Sequence, residues 1–96
     1  ENIAVSTITA GELFYGALNK KELSQIKKDL KNLTIIDIDK KTCDIFMAIM
    51  GKYVLSHKLT LPDGFIAASA IANEIDLYTL NIKDYRYIDG LRLYKK

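Results

Sequence analysis

The chain has 96 residues, 49% of them apolar, with 14 basic against 12 acidic side chains for a formal charge of +2. That length predicts a single domain over 1–96 with room for one active site, and a charge so near neutrality permits nucleic acid as a partner without arguing for it. A lone cysteine, Cys43, excludes an intramolecular disulfide and is read as a buried thiol in a reducing cytoplasm, while the longest apolar run, Phe65 to Ala72, falls far short of the roughly 20 residues of a membrane span.

No charged leader followed by an apolar stretch and a cleavage site opens the sequence, so export is not indicated. Because the first residue is Glu1 and strand-forming residues follow at once, the sequence is read as a processed or cut chain, or as part of a longer one.

Ile3, Ala4, Val5, Ser6, Thr7 and Ile8 include β-branched side chains in partial alternation and predict a strand over 3–8. Thr9-Ala10-Gly11-Glu12 fits a capping box, in which the threonine oxygen takes the amide three residues on and the glutamate reaches back, so a helix is expected from about Ala10 to Leu18. Between Lys20 and Leu33, Leu23, Ile26, Leu30 and Leu33 recur at helical spacing. Lys20, Lys21, Lys27, Lys28 and Lys31 lie mostly opposite and are read as a solvated face, ahead of a phosphate-binding one. Thr34 to Asp39 alternates Ile36 and Ile38 with acids and predicts an edge strand with one wet side. Asp39 is placed to cap a helix of roughly Lys41 to His57, whose stripe of Ile45, Phe46, Ile49, Met50, Tyr53 and Val54 is read as packing. His57, near the helix end, is read as a group favoured by the backbone dipole, ahead of a catalytic or metal-binding role.

The stretch Leu61 to Tyr85 carries the functional signal. Proline is tolerated at a helix start because the amide it lacks would be unpaired there anyway, so Pro62 and Asp63 mark an opening. Phe65, Ile66, Ala67, Ala68, Ala70, Ile71 and Ala72 are apolar almost all the way round, which predicts a helix buried against a sheet. Leu77 to Leu80 predicts a short strand, and Asn81 with Asp84 three residues on is a polar opening for a further helix. Asp89-Gly90 then marks a turn before a last short strand over Leu91 to Tyr94. Helix, strand and helix in succession predict parallel α/β architecture.

Glu12, Asp63 and Asp84 each fall in the first turn of a predicted helix. Singly, each is explained as a cap or as a partner for the helix dipole. In an open parallel sheet, however, the first turns of helices that follow strands gather at the carboxyl edge where ligands bind, so the three acids could converge. Crowded carboxylates repel one another unless protonated or bridged by a cation, and oxygen-only ligands suit Mg²⁺ or Mn²⁺. Such ions assist attack of water on a phosphodiester, which makes hydrolysis of nucleic acid the corresponding hypothesis. A P-loop, dinucleotide-binding glycines, paired CxxC motifs and a GxSxG elbow are all missing.

These residues resemble a known family. Asp63-Gly64-Phe65-Ile66-Ala67-Ala68 resembles the D-x-x-I-A-A helix start of PIN-domain ribonucleases, and Thr79-Leu80-Asn81-Ile82-Lys83-Asp84-Tyr85 matches their T-x-N-x-x-D-[FY] segment. Thr9-Ala10-Gly11-Glu12-Leu13 resembles the turn bearing their glutamate, and Ile88-Asp89-Gly90-Leu91-Arg92-Leu93 their usual C-terminal strand. The similarity covers nearly the whole chain in order and is closest to VapC-type toxins of toxin–antitoxin pairs. It implies a three-layer α/β/α fold with a mostly parallel sheet, and a metal-dependent endoribonuclease of the cytoplasm. Glu12, Asp63 and Asp84 would bind Mg²⁺ or Mn²⁺, with Asn81 and Thr79 as supporting or phosphate-positioning groups. It also implies an RNA substrate, a cognate antitoxin that covers the site, and a homodimer.

The family begins with a strand ending in an aspartate, within D-x-N or D-x-S, that supplies the leading metal ligand and the middle of the sheet. This sequence has no such segment, and Glu1 to Ile8 matches the family's second strand. The expectation is therefore an N-terminally incomplete PIN-like domain, with a gap in the sheet between strands 3–8 and 77–80. The missing strand would belong to a severed portion or be supplied by another chain, and the 96 residues alone would be inactive or impaired. The alternatives are a catalytically silent remnant that binds protein or RNA, and a lysine-rich interaction module whose acids only cap helices.

Overall fold

A computed structural model describes residues 4–94, so Ile3 of the first expected strand lies outside the described residues. The chain divides into two compact units, Glu1–Asp37 and Ile38–Lys96.

In the first unit, β1 (Ala4–Ser6) runs directly into α1 (Thr7–Tyr15), followed by α2 (Lys20–Leu30) and β2 (Thr34–Ile36). β1 and β2 pair in parallel, with Ala4 opposite Thr34 and Ser6 opposite Ile36. Parallel neighbours need a long crossover, which α1 and α2 supply. Both strands are shorter than the sequence predicts. α1 begins earlier than expected because Ser6, and not Thr9, is its cap: the Ser6 hydroxyl oxygen accepts the Thr9 N–H at 3.0 Å. Glu12 consequently lies in the second turn of α1, not the first. The reciprocal capping expected at Thr9 and Glu12 has its counterpart at α2. There Asn19 Oδ1 accepts the Glu22 N–H at 2.9 Å, and the Glu22 carboxylate reaches back to the Leu18 N–H at 3.0 Å. Leu23, Ile26 and Leu30 are half-buried and the lysines of this helix are exposed, as its periodicity demands.

In the second unit, α3 (Lys40–His57) and α4 (Leu61–Ala72) form a helical hairpin. Asp39 caps α3 as expected, its carboxylate accepting the Thr42 N–H at 2.8 Å. That bond is the main reason the Asp39 carboxyl is held below its ordinary pKa. Thr60 caps α4 and Pro62 sits in its first turn. The close packing of α4 runs along α3, where the sequence led us to expect a sheet. Small residues permit it: Gly64, Ala67, Ala68, Ser69 and Ala70 are buried. A Cβ at Gly64 would lie 2.8 Å from Met50 Sδ and 3.1 Å from Phe46 Cε1. Phe46 and Phe65 stack face to face, ring centroids 3.8 Å apart. Cys43 is exposed, contrary to expectation, because its neighbour Thr42 takes the inward position on α3.

α4 ends in a Schellman turn, with the Ile75 N–H donating to Ala70 O at 3.1 Å and the Glu74 N–H to Ile71 O at 3.2 Å. Glu74 takes the left-handed position there, φ 52°. The strand expected over 77–80 and the last strand expected over 91–94 reduce to a single parallel bridge between Leu77 and Leu93. Beyond it the chain is held by side chains: Arg92 pairs with the Asp76 carboxylate at 3.0 Å and also donates to the Glu74 carbonyl. The helix expected to open at Asn81 is one 3₁₀ turn, Ile82–Asp84, because Asn81 makes no side-chain cap. Instead the Thr79 hydroxyl accepts the Asn81 N–H at 3.0 Å. The core of this unit is Ile49, Tyr53, Leu59, Ala67, Ala68, Tyr85 and Ile88.

The chain is thus α/β with parallel strand pairing, as its sequence predicts. Among the described residues, no helix is long and apolar enough to cross a membrane.

Candidate functional site

The hairpin link and the 3₁₀ turn of the second unit enclose an open cleft of about 250 Å³. Asp63, Asp84, Lys58, Lys83, His57 and Tyr87 line it, with Leu59 and Thr60. Asp63 owes its place to the start of α4. The Thr60 hydroxyl accepts the Asp63 N–H at 3.3 Å, and the Thr60 carbonyl accepts the Gly64 N–H at 2.9 Å. The Asp63 carboxylate is then oriented from the opposite wall, where the hydroxyl of buried Tyr85 donates to Oδ1 at 2.9 Å. Tyr85 follows Asp84 in sequence, so the bond that orients one carboxylate also anchors the turn bearing the other.

The two acids act on a common point. The Tyr87 phenol is pushed above its ordinary pKa, first by burial and then by the negative charges of Asp63 and Asp84. Asp63 is half-buried and Asp84 exposed, so the pair presents oxygen atoms to an open cleft. Lys58 and Lys83 add two ammonium groups to its lining. Lys58 closes α3 in the left-handed conformation, φ 54°. Such a set, two carboxylates beside two ammonium groups, can accommodate a hard cation together with the anionic oxygens of a phosphate.

Of the residues singled out from the sequence, Asp63 and Asp84 come together here. Asn81 lines an adjoining cleft with Leu80, Ile82, Lys83 and Asp84. Thr79 lines neither and works through the backbone of the turn. Glu12 is exposed on α1 of the first unit. Among the described residues, no three His, Cys, Asp or Glu side chains form a group able to hold a metal, so within the second unit the acidic centre is a pair. No motif in the sequence marks Lys58, Thr60 or Tyr87, and His57, expected as a helix-end cation, lines the same cleft. Their signal was position alone: the link directly before Pro62-Asp63 and the residues directly after Asp84.

His57 and Tyr87 stack at 3.8 Å with their planes 4° apart. Tyr53 meets both edge-on, at 5.7 Å from His57 and 5.0 Å from Tyr87. Its hydroxyl accepts the Asp89 N–H at 3.0 Å, which fixes the ring cluster to the last part of the chain.

Residues 1–90 match the model of the PIN domain. Ribonuclease VapC2 of Rickettsia felis is 37% identical over 97 residues, covering 95% of this chain and 72% of that protein. The crystal structure of VapBC2 from Rickettsia felis, bound to a DNA fragment from their promoter, superposes with a TM-score of 0.83 at 31% identity, over 97% of this chain and 74% of that one. A toxin–antitoxin complex from Klebsiella pneumoniae does so with a TM-score of 0.76 at 32% identity, over 92% of this chain and 70% of the other. The chain therefore belongs to the PIN domain family, and within that family it is of the VapC type.

Proposed function

We propose that this chain is the toxin component of a toxin–antitoxin pair, a Mg²⁺- or Mn²⁺-dependent endoribonuclease acting in the cytoplasm, with 1–96 serving as one PIN domain. What carries it is the meeting of Asp63 and Asp84 in one cleft beside Lys58 and Lys83. Support from kinship comes from Ribonuclease VapC2 and from the relatives solved as VapBC or toxin–antitoxin complexes.

The donor set fits the ion. Mg²⁺ is commonly held by one or two carboxylates together with substrate phosphate and water, and the cleft offers two hard oxygen donors. Asp63 and Asp84 would hold it. Such an ion, when bound, lowers the pKa of a water and neutralises charge on the leaving oxygen. The protein's own part is positional. Tyr85 fixes the orientation of Asp63, and Thr79 shapes the turn that presents Asn81 and Asp84. Lys58 and Lys83 offset the charge of an incoming phosphate.

The partners under this proposal are RNA, a cognate antitoxin protein and a second copy of the chain. Met47 and Leu55 on α3, 68% and 93% exposed, offer apolar surface for a protein partner. The test is cleavage of RNA in Mg²⁺, Mn²⁺ or EDTA by the chain, alone and with an aspartate-bearing strand joined ahead of Glu1. Asp63→Asn and Asp84→Asn are expected to lose activity by at least about two orders of magnitude, and Mg²⁺ is expected to raise the melting temperature of the parent protein only. Absence of cleavage in every form, with no metal-dependent shift in melting, would overturn the nuclease assignment in favour of a silent binding module.

A further inference from the structure

The cleft holds more than an acidic pair requires. His57 is exposed, and Tyr87 covers one face of its imidazole. Tyr53 lies nearer Tyr87, at 5.0 Å, than His57, at 5.7 Å, with the two stacked rings 3.8 Å apart, and so flanks the stack instead of capping the outer face of His57. The outer face of His57 is thereby left to solvent, in the lining that contains Asp63 and Asp84. The ring is also held in place: Ser56 Oγ lies 2.8 Å from its Nδ1, and Tyr53 behind it is buried and bonded to the Asp89 backbone. A flat ring fixed in advance, open on one face and bordered by ammonium groups, has the features of a platform for an unpaired base. Stacking of a base on an aromatic face tolerates any sequence, and neighbouring cations take the backbone phosphates.

We propose that the outer face of His57 stacks an unpaired nucleobase of an RNA strand laid across the cleft, with Lys58 and Lys83 holding the flanking phosphates. This assignment rests on the ribonuclease proposal for its substrate class and adds to it how the strand is positioned. It makes His57 a positioning residue, its ring and not its charge being what matters.

The test measures binding of single-stranded RNA 10-mers to the full chain by fluorescence anisotropy in EDTA, with an oligo-A probe and the same strand carrying abasic residues. His57→Ala is expected to weaken binding of oligo-A by roughly 5- to 100-fold, while His57→Phe restores it. The abasic strand should lose a similar factor with the parent protein and nothing more with His57→Ala. Lys58→Ala and Lys83→Ala should each flatten the slope of log Kd against log salt by about 0.7. Equal binding by parent and His57→Ala, or failure of His57→Phe to rescue a variant of unchanged melting temperature, overturns the platform. If Asp84→Asn still abolishes metal-dependent cleavage in that case, the nuclease proposal survives without it. The converse result, in which the His57 series behaves as expected while no form cleaves RNA, removes the nuclease and keeps the platform. A parent protein that binds no RNA 10-mer removes the platform outright.

Discussion

Two parts of the second unit place their carboxylates by different means. The α3–α4 hairpin is regular, and its helices approach closely because Gly64 leaves room for Met50 and Phe46. Asp63 sits in the first turn of α4, so its position follows from the backbone and from Thr60. The segment after α4 has one strand bridge and one 3₁₀ turn, and side-chain bonds fasten it: Tyr85 to Asp63, Asp89 to Lys52, and Arg92 to Asp76. Packing therefore fixes one half of the acidic pair, and a few tethers fix the other. The hairpin should govern global stability, and the tethers should govern the geometry of the cleft.

The largest expected effect comes from overfilling the hairpin. Gly64→Ala drives a methyl group to 2.8 Å from Met50 Sδ and 3.1 Å from the Phe46 ring, which is stacked on Phe65 and gives way less easily, so a net destabilisation of about 1–2 kcal/mol, after the gain in helix propensity, is expected in urea unfolding. The smaller cut of Tyr85→Phe keeps the packed ring and removes the hydroxyl bonded to Asp63. A loss of about 1 kcal/mol is expected, accompanied by a disproportionate fall in metal-dependent thermal stabilisation. Equal changes in stability and metal response for the two variants would erase the distinction between the hairpin and its tethers.

A third substitution should act in the opposite direction. Glu74 occupies the left-handed position of the Schellman turn, φ 52°, where glycine bears no penalty. Glu74→Gly is expected to stabilise by up to about 1 kcal/mol, read as a higher urea midpoint. The smallest effect concerns pH. The Lys52 ammonium beside Asp89, 2.6 Å away, holds that carboxyl below its ordinary value. A carboxyl depressed in the folded state contributes stability above its unfolded pKa of about 3.9 and loses it as pH falls through the folded value. The deficit of Asp89→Asn should accordingly stay constant from about pH 5 to pH 8 and shrink below about pH 4, in urea titrations at each pH.

The sequence was most legible where one signal stood alone. Asp39 is the cap of α3, and the leucine and isoleucine spacing of α2 has the half-buried face it implies. The α/β PIN class expected from the ordered motifs is the class the chain has. Legibility failed where two signals competed or where tertiary contacts decided. Ser6, which reads as a strand residue, caps α1 in place of Thr9, and this carries Glu12 into the second turn. Leu77 to Leu80 has the composition of a strand, yet only Leu77 finds a bridge partner, and Leu80 is 86% exposed. Asp63 and Asp84 could be selected because short motifs surround them. His57, Lys58 and Tyr87 reach the same cleft through a helix end and a loop, and no local spacing encodes that meeting.

The run of small residues along α4 has a further consequence for how this chain can vary. From Gly64 through Ala70 the inward positions hold hydrogen, methyl or a single hydroxymethyl group, and Ala67 and Ala68 are wholly enclosed. Drift at these sites has little room, and at Gly64 an added carbon requires Met50 or Phe46 on α3 to give way. The lysine face of α2 is under no comparable constraint. Divergence among such chains should thus accumulate on α2, while Gly64 changes only together with Met50 or Phe46.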